Sequence, residues 1–132
     1  EKYNFKHNRL FHLGWITHDE TMSIYKKSSI SVVPSHWEEP FGRTSLEAAS
    51  RGCATILSRR GGLPETIPYG VYLNRINQNE IFKKIKLLIT NEKLRKDLQK
   101  KSLTNVFHEI NKNTQILDNL RNEVINEKKN IY

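Results

Sequence analysis

The sequence predicts an α/β fold: an open parallel sheet with helices on its faces, ending in amphipathic helices. Two observations carry this. Short β-branched apolar runs alternate with helix-period segments as far as residue 76, and each is bounded by Gly or Pro. From Asn77 onward the apolar residues recur only at helical spacing. Strands alternating with helices imply parallel pairing and right-handed crossovers. The chain thus divides into an α/β core over 1–76 and carboxyl-terminal helices over 77–132.

Leu10-Phe11-His12-Leu13 reads as a strand ending at Gly14, and a helix from Asp19 to Lys27 is opened by Thr17 or Asp19. Ile30 to Val33 is a β-branched strand stopped by Pro34. A loop from Ser35 to Gly42 leads into a helix over Arg43–Arg51, with Gly52 as its left-handed cap. Ala54 to Leu57 is the next buried strand. A loop from Ser58 to Pro64 and a helical turn around Glu65–Ile67 follow, and Val71 to Leu73 is the last strand. Three amphipathic helices are expected beyond Asn77. Their apolar faces hold Ile81, Ile85, Leu88 and Ile89; then Leu94, Leu98, Val106, Phe107 and Ile110; then Ile116, Leu117, Leu120 and Val124.

With 132 residues and 36% of them hydrophobic, the chain has the composition of one globular domain and excludes a disordered or fibrous class. Cys53 is the single cysteine, so no intramolecular disulfide forms. No Cys/His cluster has metal-ligand spacing. These two features lead to the expectation of a reducing setting and a chain without metal, and a cytoplasmic location is expected because no apolar run reaches the roughly 20 residues that span a bilayer and Glu1 to Lys6 lack the apolar segment of a signal peptide. The net charge of +8 is spread along the chain, with 10 Lys/Arg against 7 Asp/Glu in residues 1–77 and 12 against 7 in 78–132. A solvated helical face explains the excess first, and peripheral contact with an anionic membrane at its inner face is the second reading. Nucleic acid is not expected as a partner, because no basic stretch is interleaved with stacking aromatics.

The chemistry concentrates between Val33 and Glu65. A strand ends at Val33, a polar and aromatic loop crosses its carboxyl edge, and Gly42 admits close backbone approach before a helix begins. Ligands of open α/β sheets bind at this edge. The free N–H groups of the helix start make an anion site. Arg43 in the first turn opposes the helix dipole unless an anion is bound there.

These residues resemble a known family. Pro34-Ser35-x-x-Glu38-Glu39-Pro40-Phe41-Gly42, continued by Leu46-Glu47-Ala48-Ala49, contains an E-x7-E motif in which Glu39 and Glu47 are separated by seven residues, and Gly61-Gly62-Leu63-Pro64-Glu65 follows the next strand. The pattern is similar to that of the GT-B retaining glycosyltransferases of the large nucleotide-diphosphate-sugar family, family 4 or group 1. The resemblance implies part of the Rossmann-like carboxyl-terminal domain of such an enzyme, with a nucleotide diphosphate sugar as donor and no cofactor or essential metal. It assigns Glu39 to the donor sugar as the catalytic-site carboxylate, and Phe41 and Gly42 with the Arg43 and Thr44 amides to sugar and diphosphate. Glu47 falls to the ribose hydroxyls, and Gly14 and Trp15 to the base, although only the Gly is family-like. Front-face attack, in which the departing phosphate helps take the acceptor's proton, needs no protein nucleophile. No Asp-x-Asp motif is present to bring a divalent ion.

The family's amino-terminal acceptor domain and its diphosphate-gripping Arg and Lys are absent from this sequence. A donor-binding part, inactive alone and serving lipopolysaccharide or other surface-glycan synthesis, is therefore expected. The alternative is a non-catalytic module that binds nucleotide sugar or a partner.

Several residues carry a second reading. Thr44-x-x-Glu47 also fits a capping box, in which case Glu47 folds back on the helix start; with Gly42 as the cap, Glu47 is free. Glu38 reads as a solvated loop carboxylate. Trp37 and His36 either line the sugar pocket or simply pack and solvate. Gly61 and Gly62 either turn the chain or admit a ligand. Arg59 and Arg60 are surface residues or phosphate neighbours.

Overall fold

The computed structural model describes residues 10–129, with side chains except at 107–110 and 127–129. Its elements are α1 (His18–Lys27), β1 (Ile30–Val33), α2 (Arg43–Ser50), β2 (Ala54–Leu57), α3 (Leu63–Thr66), β3 (Val71–Tyr72), α4 (Gln78–Thr90) and α5 (Glu92–Lys129). The strands form a parallel sheet in the order β1-β2-β3, with Ile30 opposite Ala54 and Ile56 opposite Val71.

All of β2 is buried, and its pleat divides the core in two. Ala54 and Ile56 pack with Leu73, Leu88 and Leu98 on one face, while Leu57 packs with Ala49, Leu63, Ile67 and Val106 on the other. The sheet is therefore covered on both sides, as the expected α/β architecture requires. Helix α5 supplies Leu98 to one layer and Val106 to the other. Between them the buried Ser102 hydroxyl donates to the Cys53 carbonyl at 2.9 Å, tying α5 to the amino end of β2. The carboxyl-terminal helices thus share the core of the α/β segment.

Local chemistry explains the element ends. Thr17 caps α1 in a capping box with Glu20. Helix α2 ends in a Schellman arrangement, with Gly52 N–H donating to Ala49 O at 2.9 Å and Cys53 N–H to Ala48 O at 3.1 Å. Between α4 and α5, Asn91 accepts from the Leu94 N–H at 3.0 Å and the Arg95 guanidinium reaches the Leu88 carbonyl at 2.7 Å.

Two expectations are corrected. Leu10–Leu13 is not a strand: it is irregular, its Leu10, Phe11 and Leu13 side chains are exposed, and it joins no ladder. Its composition suits a covered strand, but among the described residues no layer covers it, so the burial that would favour an extended ladder is not supplied by them. Two helices, not three, follow Asn77. Nothing between Glu92 and Lys129 interrupts the backbone hydrogen bonding, since that stretch contains neither Gly nor Pro. The 38-residue α5 is about 57 Å long. The last strand is one residue shorter than expected, although Leu73 N–H still donates to Leu57 O at 2.7 Å.

Candidate functional site

Pro34 ends β1 and Ser58 follows β2, so the loops 34–42 and 58–62 lie side by side at the carboxyl edge of the parallel pair. The Ser58 hydroxyl donates to Ser35 O at 2.8 Å and fixes their roots. Ser35 Oγ in turn donates to Glu39 Oε1 at 2.9 Å. This leaves Glu39 Oε2 without a protein partner among the described residues.

The diglycine presses against the backbone of Glu39. Gly62 N–H donates to Glu39 O at 2.7 Å, and a Cβ on Gly61 would lie 2.2 Å from that oxygen and 2.7 Å from Glu39 N. With its φ of +51°, Gly61 is required both for its conformation and for this approach. The two glycines therefore do more than turn the chain.

Glu38 is not a free solvated carboxylate. Its Oε1 accepts from Arg60 Nη1 at 2.8 Å and its Oε2 from Gly61 N–H at 2.6 Å. The Arg60 guanidinium, then the Gly61 amide, hold its carboxyl below the ordinary glutamate value. Sequence reading missed this pairing because Arg60 lies 22 residues away. The available signal was that both residues follow the ends of neighbouring parallel strands. Arg59 sits over the Tyr72 ring, 4.4 Å from its centroid, and is held by that contact.

Gly42, at φ +76°, is the N-cap of α2. A Cβ there would meet Leu63 Cδ2 at 2.4 Å, so the helix start is pressed against α3. The Gly42 carbonyl accepts from Ser45 N–H at 3.0 Å and from the buried Ser45 hydroxyl at 2.6 Å. The amides of Arg43 and Thr44 have no acceptor among the described residues, which leaves two donors at the positive end of the helix. With Gly42 as the cap, Thr44 and Glu47 form no capping box. Instead Glu47 Oε1 accepts from Arg43 Nε at 2.8 Å and lies 3.9 Å from His18 Nδ1. The Arg43 cation thus leans along the helix toward Glu47 and does not cover the amides.

The other nominated residues are more open. Trp15 is fully exposed, and a Cβ on Gly14, at φ +63°, would meet no atom within 4 Å among the described residues; three residues beyond Trp15, His18 Nδ1 lies 3.9 Å from Glu47. Trp37 is also exposed, and its N–H donates to Ser35 Oγ at 3.3 Å. Phe41 is exposed, and its carbonyl accepts from the Thr66 hydroxyl. A depression of about 630 Å³ lies between α3 and α5, and of the nominated residues only Phe41 and Gly62 line it. Glu39 and Glu47 are half-buried and Arg43 and Thr44 exposed, and none of the four lines it. Among the described residues no group of His, Cys, Asp or Glu is arranged to hold a metal ion. No helix among them is long and apolar enough to cross a membrane.

Comparison with known proteins agrees with this fold. The model of the glycosyl transferases group 1 matches residues 1–104. An uncharacterised glycosyltransferase of Methanocaldococcus jannaschii is 38% identical over 100 residues, covering 74% of this chain and 28% of that protein. A serotype-specific mannosyltransferase of Escherichia coli is 30% identical over 105 residues, 79% of this chain and 13% of that one. Among solved structures, the sucrose-phosphate synthase of Thermosynechococcus elongatus matches with a TM-score of 0.69 and 25% identity, over 84% of this chain and 30% of that chain. The chain spans less than a third of the length of each. The match over most of its length, joined to a parallel sheet helix-covered on both faces, shows that the chain belongs to the group 1 glycosyl transferases of GT-B fold.

Proposed function

We propose that the chain supplies the donor-binding part of a retaining glycosyltransferase, which moves a sugar from a nucleotide diphosphate sugar to an acceptor hydroxyl. One observation carries the reading: Glu39, with one carboxylate oxygen unpartnered among the described residues, lies in the loop that leads into α2, the Arg43 and Thr44 amides that open α2 have no acceptor among them, and Glu47 follows one turn along the same helix. The diphosphate sits at those amides, where preorganised N–H groups stabilise the charge that develops on the leaving group. Glu39 accepts from donor-sugar hydroxyls and orients the anomeric carbon. Glu47 accepts from the ribose, and Gly14 and Trp15 border the base. In the full-length protein a second, acceptor-bearing unit closes over the donor.

No metal is needed in this scheme, since amides and cations manage the diphosphate charge. A surface glycan is the acceptor class we propose, in keeping with the similarity to a serotype-specific mannosyltransferase of Escherichia coli. The rival reading, a module that binds nucleotide sugar without chemistry, keeps the same face and differs only in turnover.

The test is product analysis. The full-length protein, given nucleotide diphosphate sugars and a polyol or glycoside acceptor, is expected to form a glycoside with the donor's anomeric configuration by proton NMR, and to do so in the presence of a chelator. An inverted product, or activity abolished by chelation and restored by a divalent ion, overturns the reading. Donor binding without any transfer favours the binding module.

A further inference from the structure

At the opposite end of the sheet, Ser28 and Ser29 lead into β1, Gly52 leads toward β2, and α5 passes beneath them. These residues edge an open groove of about 580 Å³ lined by five cations, Lys26, Lys27, Arg51, Lys96 and Lys100, with Leu103 among them and no Asp or Glu. Lys96 pairs with Glu92 at 2.8 Å. Lys26, Lys27, Arg51 and Lys100 have no ion-pair partner among the described residues.

Fold stability explains only part of this cluster. Lys26 and Lys27 close the last turn of α1 and Arg51 caps α2, positions where a cation is favoured by the helix dipole. Lys96 and Lys100 have no such role: they stand one turn apart within α5, where like charges repel. Two of the three hydroxyls at the groove are occupied, Ser28 Oγ by Ile24 O at 2.8 Å and Thr104 Oγ1 by Lys100 O at 3.0 Å; the third belongs to Ser29. The unpaired donors are thus chiefly cations, carried by α1, α2 and α5 and spread over an open surface, with no set of backbone amides converging on one small anion. Leu103, 47% exposed, adds an apolar spot in their midst.

We propose that this groove docks the chain on a membrane surface of anionic phospholipids. Lysine ammoniums are point charges that need no bidentate geometry, and their stems lie along apolar surface while the heads meet headgroup phosphates. The groove lies at the amino ends of strands about 13 Å long, so docking leaves the Glu39 loop, which follows the carboxyl end of β1, directed away from the lipid. The inference does not depend on the donor assignment, since the two faces share no residue.

The experiment is co-sedimentation of the full-length protein with vesicles of phosphatidylcholine, with and without phosphatidylserine. Binding is expected only with phosphatidylserine, falling steeply with salt. The Lys27→Glu/Lys100→Glu variant should lose at least about tenfold in partitioning, and Lys27→Gln/Lys100→Gln should lose less. Lys83→Glu/Lys112→Glu has the same net charge but lies outside the groove, and should stay within about twofold of the parent. Circular dichroism confirms that each variant is folded, and if the Glu pair is not, the Gln pair decides. Equal loss in the outside variant, or no binding to phosphatidylserine vesicles, overturns the proposal. Saturable binding of inorganic pyrophosphate that the groove variant abolishes, with no vesicle binding, makes it a small-anion site instead.

Discussion

The Glu38 carboxylate accepts the backbone N–H of Gly61 at 2.6 Å, clamping the loop that follows β2 onto the loop that follows β1. Glu38 and Arg60 together hold the diglycine where its neighbour Gly62 bonds the Glu39 carbonyl. Glu38→Gln should therefore speed hydrogen exchange at Gly61 and Gly62 and lower kcat/KM several-fold, while leaving the core amides of β2 protected. The lowered carboxyl value fixes the pH sense. The clamp is complete above the ordinary value of 4.5 and is lost as pH falls through the lower folded value. Exchange at Gly61 that is the same in parent and variant would remove Glu38 from this role.

Gly42→Ala tests the helix start. The new methyl would lie 2.4 Å from Leu63 Cδ2 and force an L side chain to φ +76°. A loss of about 1–3 kcal/mol in chemical denaturation is expected. A neutral result would mean that α2 does not begin at Gly42 pressed on Leu63.

Glu47→Ala in the full-length enzyme should weaken binding of the free nucleoside diphosphate by roughly 1.5–3 kcal/mol in isothermal titration. It also frees Arg43, whose charge Glu47 now holds at 2.8 Å. Arg43→Ala separates the effects: if the ribose contact matters, the Arg43 variant binds more nearly like the parent. Unchanged affinity in Glu47→Ala leaves that carboxylate as a helix-surface partner of Arg43.

Cys53 is fully buried, and desolvation pushes its thiol up to about 11. Its Sγ lies 3.3 Å from Tyr25 O and 3.4 Å from Ser28 O. Alkylation by iodoacetamide near neutral pH should be negligible in the folded protein and prompt in denaturant. Rapid labelling of the native state would contradict this packing.

How much was legible depended on punctuation. Pro34, Gly42, Gly52 and the β-branched runs between them mark β1, α2 and β2 within a residue, because each stops or starts an element by local sterics. Leu10–Leu13 misled because apolar composition reports what a segment would bury, not whether a neighbour is there to bury it. The continuity of α5 was missed because its apolar faces fall into two sets around Asn111 and Asn113, yet asparagine weakens a helix without breaking it. In the site, Glu39 and Glu47 stand out by spacing. The Glu38–Arg60 clamp and the Glu47–His18 approach do not, since they arise from tertiary placement.

The most direct test separates sugar recognition from nucleotide recognition. Glu39 has one oxygen held by Ser35 and one free, whereas Glu47 stands along α2 beside Arg43. In the full-length enzyme, Glu39→Gln should lower turnover by at least about tenfold, or 1.4 kcal/mol in the barrier, because a misplaced sugar fails to present its anomeric carbon. Affinity for the sugar-free diphosphate should barely move. Glu38→Gln, measured alongside, should show the smaller, several-fold effect of a loosened loop. Turnover unchanged in Glu39→Gln, or a fall matched by equal loss of diphosphate affinity, would contradict the assignment of Glu39 to the donor sugar.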